Sequence, residues 1–333
     1  MSAAAGGALG SARRAARPFI GLVLVLILGV ISSPRGAGGS IVFLSAGNLT
    51  DILLQQGEIG IIALAMTLVV IAGGIDLSVG SVLAFSASLA GLLLVRWAPH
   101  IPAGAQIAAT VAAVLALGAA IGAVNGAIIT RLRLQPFVMT LAAMIGVRGL
   151  TKWMTGNTNI DFGFDAAASA RFSDIFSHKP LILSAWAVLA VAAHLVLART
   201  TYGRYLRAIG ENEKAAFFTG LPIRMARTAT YVACGAAAAL AGLIHAARSH
   251  QGNPNDGVAY ELDVIAAVVI GGTALSGGQG SILGTVTGTL VLGVLTNVLR
   301  LRMVDSNVEL MAKALIIIVA VWLQRRDRNA PSA

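Results

Sequence analysis

Long apolar runs, each of about 17 to 25 residues, alternate with short polar segments along most of this sequence. A run of that length is what an α-helix needs to cross the hydrocarbon core of a bilayer. Only 11% of the residues are charged, against roughly 25% in soluble domains. A transmembrane β-barrel is excluded because the apolar runs are continuous and do not alternate with polar residues. The sequence therefore predicts an all-α, polytopic membrane protein.

The apolar runs predict about ten membrane spans. The first, 18–32, follows a basic stretch and has two interpretations, a cleaved signal peptide or, as we favour, an uncleaved span. A short interfacial helix is predicted at 48–56. The other spans are predicted at 57–75, 78–96, 104–130, 136–154, 179–198, 228–248, 263–275, 281–299 and 307–324. Counts of nine or eleven are the alternatives, because Arg300 and Arg302 do not fit the charge pattern of ten spans. The segment 263–275 is too short to cross straight and is a candidate broken or re-entrant helix.

The segment 199–227 is the most polar part of the chain interior. It carries six basic residues against two acidic ones, and basic loops between spans stay on the cytoplasmic side. We therefore predict a cytoplasmic N-terminal tail (1–17), a transmembrane domain (18–324) with the cytoplasmic loop 199–227, and a cytoplasmic C-terminal tail (325–333). Arg300 and Arg302 fall on the outer side of this scheme and break the charge rule.

Two further loops are predicted on the extracytoplasmic side, Gly156–Lys179 and His250–Asp263. Both are acidic, so they are either solvated caps or a surface that receives a soluble partner. Their acidic residues are Asp161, Asp165 and Asp174 in the first loop and Asp256, Glu261 and Asp263 in the second.

The net charge of +10 allows two interpretations. In a soluble protein it would suggest nucleic acid, but here the bases serve as orientation signals and contacts to lipid headgroups, so no nucleic-acid partner is expected. The single cysteine, Cys234, lies in an apolar stretch and is expected to be a small buried side chain. The five histidines are scattered, and we predict no catalytic residue, no metal and no cofactor in this chain.

Two glycine-rich breaks interrupt the apolar runs with similar sequences, GG-x-x-LS followed by GS. Such breaks expose backbone groups at membrane depth, usually where they line a cavity, so we predict that these residues line a solute pathway. The shared sequence is either an internal repeat or a shared need for tight turns. The residues concerned are Gly73, Gly74, Asp76 and Ser78 in the first break and Gly271, Gly272, Gly277 and Gly278 in the second.

Asp76 is the acidic residue of the first break, where a charge at mid-membrane would cost roughly 2.5–3.5 kcal/mol. We favour a role as N-cap of the following span over direct contact with solute. Arg148 lies deep in the span 136–154 and either reaches the interface or faces the pathway. Glycines four residues apart, Gly118, Gly122 and Gly126 and then Gly284 and Gly288, predict close packing between helix backbones.

The second break contains Leu275-Ser276-Gly277-Gly278-Gln279, which spells the LSGGQ signature of ABC ATPases. The chain has no G-x-x-x-x-G-K-[ST] phosphate loop, so we interpret the match as coincidental. ATP hydrolysis in this chain is not expected.

Several stretches, in order, nevertheless resemble the membrane permeases of bacterial ABC importers for monosaccharides, the ribose, xylose, arabinose and galactofuranose group. The resemblance runs from about 45 to 325. It rests on GGIDLSVGS at 73–81, Asn125-Gly126, PFVMTL at 136–141, Arg148-Gly149, ELD at 261–263, the late glycine pairs, and the loop residues Gly203, Arg207, Gly210, Asn212, Ala215, Ala216 and Gly220.

The resemblance implies that the loop 199–227 docks onto a separate ABC ATPase, which binds ATP and Mg²⁺. In this family an alanine pair and a following glycine form the contact, and Ala215, Ala216 and Gly220 fit that pattern. The contact position that is usually acidic is Lys214 here, with Glu213 before it. The resemblance also implies a second copy of the permease, a periplasmic sugar-binding protein and a place in the bacterial inner membrane.

Asn125, Thr140, Ser78 and Arg148 are the candidate solute contacts, since a neutral sugar needs hydrogen-bond partners more than counter-ions. The alternatives are an ATP-independent secondary transporter or channel, for which Asp76 would be the candidate ion site, and a membrane enzyme, which no catalytic set supports. The sequence does not identify the sugar.

Overall fold

The computed structural model describes residues 19–97, 101–164 and 167–328, and within these ranges the chain is almost entirely helical. Short 3-10 turns at Ala37–Gly39 and Val42–Leu44 precede α2, and a π-helical turn, Leu93–Trp97, extends α3. The helices are α1 Phe19–Ile31, α2 Ala46–Ile71, α3 Val79–Leu92, α4 Ala103–Leu132, α5 Pro136–Thr155, α6 Ala167–Phe176, α7 Lys179–Arg199, α8 Thr201–Glu211, α9 Glu213–Phe218, α10 Ile223–Ser249, α11 Tyr260–Ile270, α12 Ile282–Leu301 and α13 Ser306–Arg328.

Six of the described helices are long and apolar enough to cross a membrane: α2, α3 with its extension to Arg96, α4, α7, α10 and α12. The other four predicted spans coincide with α1, α5, α11 and α13. Of these, α1 is apolar but short, and α11 has only 11 residues. The all-α membrane class is therefore supported, whereas the count of ten crossings is not confirmed.

The prediction of a separate interfacial helix at 48–56 is wrong, because these residues form the first turns of α2. Ser45 caps this helix, its hydroxyl accepting the Asn48 backbone N–H at 3.3 Å. The Asn48 side chain exchanges two hydrogen bonds with Asn297 of α12, at 3.1 and 2.8 Å. The polar residues at the start of α2 resemble a surface segment in the sequence, but Asn48 finds its hydrogen-bond partner on α12.

Helix α10 lies at the centre of the fold and packs on α2, α3 and α4. The three glycines of α4 face it closely: a β-carbon on Gly118 would lie 2.7 Å from the Gly235 oxygen, and one on Gly126 would lie 2.7 Å from Thr228 Cα. Gly284 and Gly288 of α12 approach the backbone of α11 in the same way. The prediction of close backbone packing from glycine spacing is confirmed.

A two-stranded antiparallel sheet marks one end of the molecule. Its strands are β1 Ile160–Asp161 and β2 Gln251–Gly252, with Asp161 opposite Gln251. The strands belong to the two loops predicted outside the membrane, and the Phe162 N–H donates to the His250 oxygen at 3.0 Å next to the sheet. We call this the sheet end. The opposite end, which carries α8 and α9, is the α9 end.

Long helices connect the two ends. Helices α2 and α11 run in the direction from the sheet end to the α9 end, and α12 runs in the opposite direction. Arg300, whose position broke the charge rule, lies at the sheet end. Its guanidinium contacts Glu309 at 3.5 Å and Gln55 at 3.1 Å, so a local partner accounts for its position. The predicted tail 1–17, residues 329–333 of the second tail and Asp165 lie outside the described residues, and α13 continues through 325–328.

Candidate functional site

The predicted cytoplasmic loop folds into two short helices, each with its own cap. Thr200 precedes α8, and its hydroxyl accepts the Gly203 N–H at 3.2 Å. Asn212 precedes α9, and its side-chain oxygen accepts the Ala215 N–H at 3.0 Å. Gly220 has a φ of +77°, a left-handed conformation that suits glycine, and it ends this helical run. The structure therefore shows the short glycine-terminated helix that the sequence predicts here.

Helix α9 exposes an apolar surface. Phe217 and Phe218 are 66% and 85% exposed, and Ala215 beside them is exposed as well. Ala216 is only 4% exposed and packs into the protein. The two members of the alanine pair thus have different environments, and only Ala215 is available to another protein.

The charged residues that start α9 also differ in environment. Glu213 accepts a hydrogen bond from Arg227 at 2.9 Å, so its carboxylate is turned back toward α10. Lys214 is exposed, and Arg207 is exposed on α8. The surface beside Ala215 therefore carries basic side chains, whereas its acidic neighbour is held by an internal ion pair.

Two side-chain contacts fasten α8 and α9 to the neighbouring helices α10 and α2. The Tyr202 hydroxyl donates to the Ala226 oxygen at 2.9 Å, and burial raises the pKa of Tyr202 to about 12. Arg227 donates to Glu213 and, at 3.1 Å, to the carbonyl oxygen of Ala72 at the end of α2. Arg227 therefore joins α9 directly to the first glycine break.

The two glycine breaks meet at the α9 end, against Gly210 of α8. A β-carbon on Gly277 would lie 2.8 Å from the Gly210 oxygen and 3.1 Å from Gly73 Cα, and one on Gly210 would overlap the Ile71 carbonyl. The Gly278 N–H donates to the Ile71 oxygen at 2.9 Å. The LSGGQ stretch is thus a tight packing junction, which explains its two glycines without any nucleotide.

The breaks share one local geometry, although not in the register that the sequence comparison predicts. In the first, the Gly73 and Gly74 N–H groups donate to the Val70 and Val69 oxygens, and in the second, Gly272 and Thr273 donate to Val269 and Val268. Gly73 and Gly272 are the left-handed residues, at φ +78° and +87°. This is the Schellman helix end. Gly73 therefore corresponds to Gly272 and not to Gly271, which is instead a close contact to the Gly284 backbone.

Asp76 lies in a buried polar cluster between the first break and α3. Its carboxylate accepts hydrogen bonds from the Ser78 backbone N–H at 2.9 Å and from the Ser78 hydroxyl at 2.6 Å. It also accepts a hydrogen bond from the Cys234 thiol. The Asn125 amide donates to the Ser78 hydroxyl at 3.0 Å. The carboxylate stabilises the turn that leads into α3, close to the capping role favoured from sequence, although the N-cap residue itself is Ser78.

Thr140 and Arg148 of α5 reach other parts of the same region. The Thr140 hydroxyl contacts the Ile75 oxygen at 3.3 Å, beside Asp76. Arg148 donates to the carbonyl oxygens of Pro254 (2.8 Å) and Asp256, in the loop that precedes α11. The structure thus brings Ser78, Asn125 and Thr140 together around one break, whereas Arg148 holds a loop.

The sequence predictions missed a polar network at the sheet end. Glu58 of α2 is buried and contacts Arg248 at 2.7 Å and His245 at 2.8 Å, while the other ring nitrogen of His245 lies 3.2 Å from Asp256. Lys313 bridges Asp263 and Glu309, each at 3.2 Å. The sequence did carry a signal for this network, because Glu58 and His245 lie inside predicted spans. An ionisable residue inside the membrane costs free energy unless it has a partner.

Metal binding has no visible site in the part of the chain that the structure describes. No group of three or more His, Cys, Asp and Glu side chains there is arranged to hold an ion. The interactions in the polar clusters are hydrogen bonds and ion pairs between protein groups.

Comparison of the sequence with known proteins gives matches among transport proteins. The family model described as branched-chain amino acid transport system / permease component matches residues 48–321. The ribose import permease protein RbsC of Bacillus subtilis (strain 168) is 39% identical over 314 residues, which cover 93% of this chain and 92% of the relative.

Two further relatives are sugar permeases as well. The ribose import permease protein RbsC of Escherichia coli (strain K12) is 40% identical, covering 92% of both chains. The fructose import permease protein FrcC of Rhizobium meliloti is 34% identical, covering 95% of this chain and 86% of the relative. No solved structure gives a significant match.

Proposed function

The chain belongs to the permease-component family of branched-chain amino acid transport systems, and from that premise we propose that it is the permease subunit of an ATP-driven monosaccharide importer. A soluble binding protein delivers the sugar to the sheet end, in the periplasm. A separate ATPase, holding ATP and Mg²⁺, engages the α9 end. Closure of the ATPase reorients the spans by alternating access. A second copy of this permease completes the pathway in the inner membrane.

The similarity to sugar permeases along nearly the whole chain carries this proposal. The family description names amino acids, whereas relatives at up to 40% identity and about nine tenths coverage are named for ribose and fructose. We give the relatives more weight because their names specify a narrower class of solute and because they align with about nine tenths of this chain. The buried polar cluster at Asp76 contains hydroxyl and amide groups, the chemistry that would contact a neutral solute, and in this structure they hydrogen-bond to one another.

The proposed solute is tested by uptake into proteoliposomes that hold the permease, its ATPase and its binding protein. We expect ATP-dependent uptake of one of D-ribose, D-fructose and D-allose, and no uptake of L-leucine. Uptake of L-leucine alone would favour the amino acid and contradict the sugar proposal.

The proposed ATPase contact rests on the exposed surface of α9. Ala215→Arg should reduce copurification of the ATPase at least about tenfold and abolish uptake, because a long charged side chain blocks a contact built around a small residue. Asn159→Arg, an exposed site at the sheet end and thus far from α9, is the matched control and should leave ATPase copurification unchanged.

A pair of substitutions at Gly220 separates conformation from contact. Gly220→Asn should retain docking, since Asn tolerates a left-handed conformation, whereas Gly220→Glu should weaken it. Undiminished ATPase binding and uptake in both Ala215→Arg and Gly220→Glu would contradict the docking assignment.

The alternative is an ATP-independent transporter, in which Asp76 would bind a proton or sodium ion. Asp76→Asn distinguishes the two, because an amide oxygen can still accept from Ser78 but cannot carry the charge. The ATP-driven proposal predicts that this variant keeps uptake within about threefold of wild type, the size of effect a retained hydrogen bond allows. Complete loss of uptake in a normally folded Asp76→Asn protein would favour the ion-coupled alternative.

A further inference from the structure

The loop 253–259, between β2 and α11, descends from the sheet end into the molecule along α3. Just before it, Gly252 packs against α3, where a β-carbon would lie 2.6 Å from the Ala87 oxygen. Near its end, Gly257 packs against the start of α3, where a β-carbon would lie 2.6 Å from the Gly80 oxygen. These two contacts on α3 are seven residues apart, or about 10 Å. The loop therefore reaches two helical turns below the sheet.

Helix α11, which follows this loop, begins inside the molecule. Its 11 residues span about 16 Å, roughly half of a hydrocarbon core of about 30 Å. Its last residue precedes the second glycine break, which lies at the α9 end. Tyr260, its first residue, therefore lies near mid-membrane, and the loop 253–259 occupies the depth between Tyr260 and the sheet.

This loop lies between the sheet end and the buried polar cluster at Asp76. Gly80, which Gly257 covers, comes two residues after Ser78, and Ser78 bonds both Asp76 and Asn125. Non-helical backbone at membrane depth occurs where it is buried in protein or lines a cavity. A solute that entered along α3 from the sheet end would meet the loop before it reached the cluster.

Two side chains from neighbouring helices hold the loop, as far as the described ranges show. One guanidinium nitrogen of Arg148, on α5, donates to the carbonyl oxygens of Pro254, at 2.8 Å, and Asp256. On the other side, Nε2 of His245, on α10, lies 3.2 Å from the Asp256 carboxylate, and its Nδ1 lies 2.8 Å from Glu58. Breaking these polar contacts would release the loop from α5 and α10.

The remaining contacts of the loop leave it room to move. Asn255 and Val258 are exposed, and a cavity of about 340 Å³ lies beside His245. The contact between Gly257 and Gly80 joins two glycines, so no side chains interlock there.

The end of the loop also has the backbone of a hinge. Gly257 and Ala259 are left-handed, at φ +64° and +68°, and Ala259 directly precedes α11. A left-handed alanine is uncommon, and strained residues of this kind occur at switch regions. Rotation at a few such residues is enough to move a loop as a unit.

We propose that the loop 253–259 is the outer gate of the permease, closed in this structure, and that Arg148 and His245 are its latches. The inference rests on the proposed function and adds the element that controls entry from the sheet end. Release of both latches moves the loop off Gly80 and opens the Asp76 cluster to that end. Arg148 is then a positioning residue, which acts through the loop and not on the solute.

The first experiment uses Cys234 as a native reporter, because it is the single cysteine of the chain and is buried beside Asp76. Its reaction with methyl methanethiosulfonate is followed in the purified permease in lipid. Arg148→Met removes the donor and should speed the reaction at least about tenfold, since loss of a charge-assisted hydrogen bond favours local opening. Arg148→Lys keeps one nitrogen that can donate to both carbonyls, and its rate should stay within about threefold of wild type.

Arg300→Met is the matched control, because it removes another arginine of the sheet end, which contacts Glu309 and Gln55 and not the loop. Its rate should equal that of wild type. An unchanged rate in Arg148→Met overturns the inference. Equal acceleration in Arg148→Met, Arg148→Lys and Arg300→Met would indicate general loosening and would also overturn it.

The second experiment holds the gate shut. Asn255 lies between the two residues whose carbonyls Arg148 contacts, so cysteines at 148 and 255 can be joined by a bifunctional methanethiosulfonate about as long as an arginine side chain. The double variant Arg148→Cys/Asn255→Cys is tethered before ATP is added, in proteoliposomes with the ATPase and the binding protein. Uptake should fall at least about tenfold relative to the untethered variant, which His245 still latches, and a thiol reductant should restore it.

A monofunctional methanethiosulfonate on both cysteines is the control for the tether and should leave uptake near that of the unmodified variant. Sugar uptake that the tether does not change would leave the proposed function intact and refute the gate, as would an equal loss with the monofunctional reagent. Uptake of L-leucine alone, blocked by the tether, would refute the sugar and support the gate. Sugar uptake blocked by the tether and restored by the reductant supports both.

Discussion

Arg227 links two elements at the α9 end. It is largely buried and donates at once to Glu213, the first residue of α9, and to the Ala72 oxygen at the end of α2. The planar guanidinium presents its donors in a rigid fork, so it can hold both acceptors in one fixed geometry. A movement of α9 would therefore be passed to the first glycine break through this residue.

Arg227→Met should uncouple α9 from the first glycine break. Methionine keeps most of the length but leaves the Ala72 oxygen and Glu213 without a donor, which costs about 1–3 kcal/mol. We expect ATPase copurification within about twofold of wild type and uptake reduced at least about fivefold. The residues that contact the ATPase are not the residue that transmits its movement to the glycine break. Arg224→Met, an exposed site one turn earlier, is the control and should change neither. Equal losses of copurification and uptake would contradict a transmitting role.

At the scale of the element, helix pairs are joined by stripes of glycine. The stripe of α4 allows its backbone to touch α10, and the pair in α12 does the same for α11. Lipid supplies no hydrophobic drive between helices, so close van der Waals contact decides how they associate.

Gly122→Leu tests the α4 stripe. A β-carbon there would lie 2.7 Å from the Tyr231 carbonyl carbon, so a leucine must force α4 away from α10. Overpacking of this kind typically costs about 1–3 kcal/mol, and the unfolding temperature of the purified protein should fall by several degrees. Gly146→Leu on α5, where nothing lies within 4 Å, is the matched control and should leave it unchanged or raise it. A similar fall in both variants would contradict the α4–α10 contact as the cause of the effect.

At the scale of the whole molecule, two loops that are distant in sequence close the sheet end. Their contact is the β1–β2 ladder, with Asp161 opposite Gln251. This places the loop before α6 and the loop before α11 in one surface, which is the surface proposed to receive the binding protein.

The double variant Asp161→Cys/Gln251→Cys tests that pairing. Opposed residues of an antiparallel ladder have Cα atoms about 4.5–5.5 Å apart, within reach of a disulfide. Mild oxidation should cross-link the pair in nearly all molecules, as seen by mass spectrometry of a digest. Thr158→Cys/Gln251→Cys, which lies off the ladder, should cross-link much less, and equal yields would contradict the register.

The proposed orientation makes a further prediction for the whole molecule. Thr158→Cys at the sheet end should react with an impermeant thiol reagent in cells with a permeabilised outer membrane. Lys214→Cys on α9, although exposed, should react only after the inner membrane is opened. The reverse pattern would invert the molecule and contradict the placement of both proposed partners.

Local chemistry made part of the site predictable. The sequence predicts a short helix that ends at Gly220, because a left-handed glycine acts within its own turn. The cap at its other end, Asn212, is an equally local signal that the sequence interpretation did not use. The breaks were also found, yet their register was off by one. Gly271 and Gly272 look alike in sequence, and only the packing of Gly271 on α12 reveals that Gly272 carries the left-handed turn.

Apolar length and residue spacing are properties of one segment, and they were enough to predict the helical class, the long apolar helices and the glycine contacts. Tertiary packing established the rest. It joined 48–56 to α2 through Asn297, gave Arg300 a partner in Glu309, and brought both breaks against Gly210. It also gathered Glu58, His245 and Arg248 around one cavity. Each of these depends on contacts between residues far apart in the chain, where a polar group is satisfied by a partner that no local pattern names.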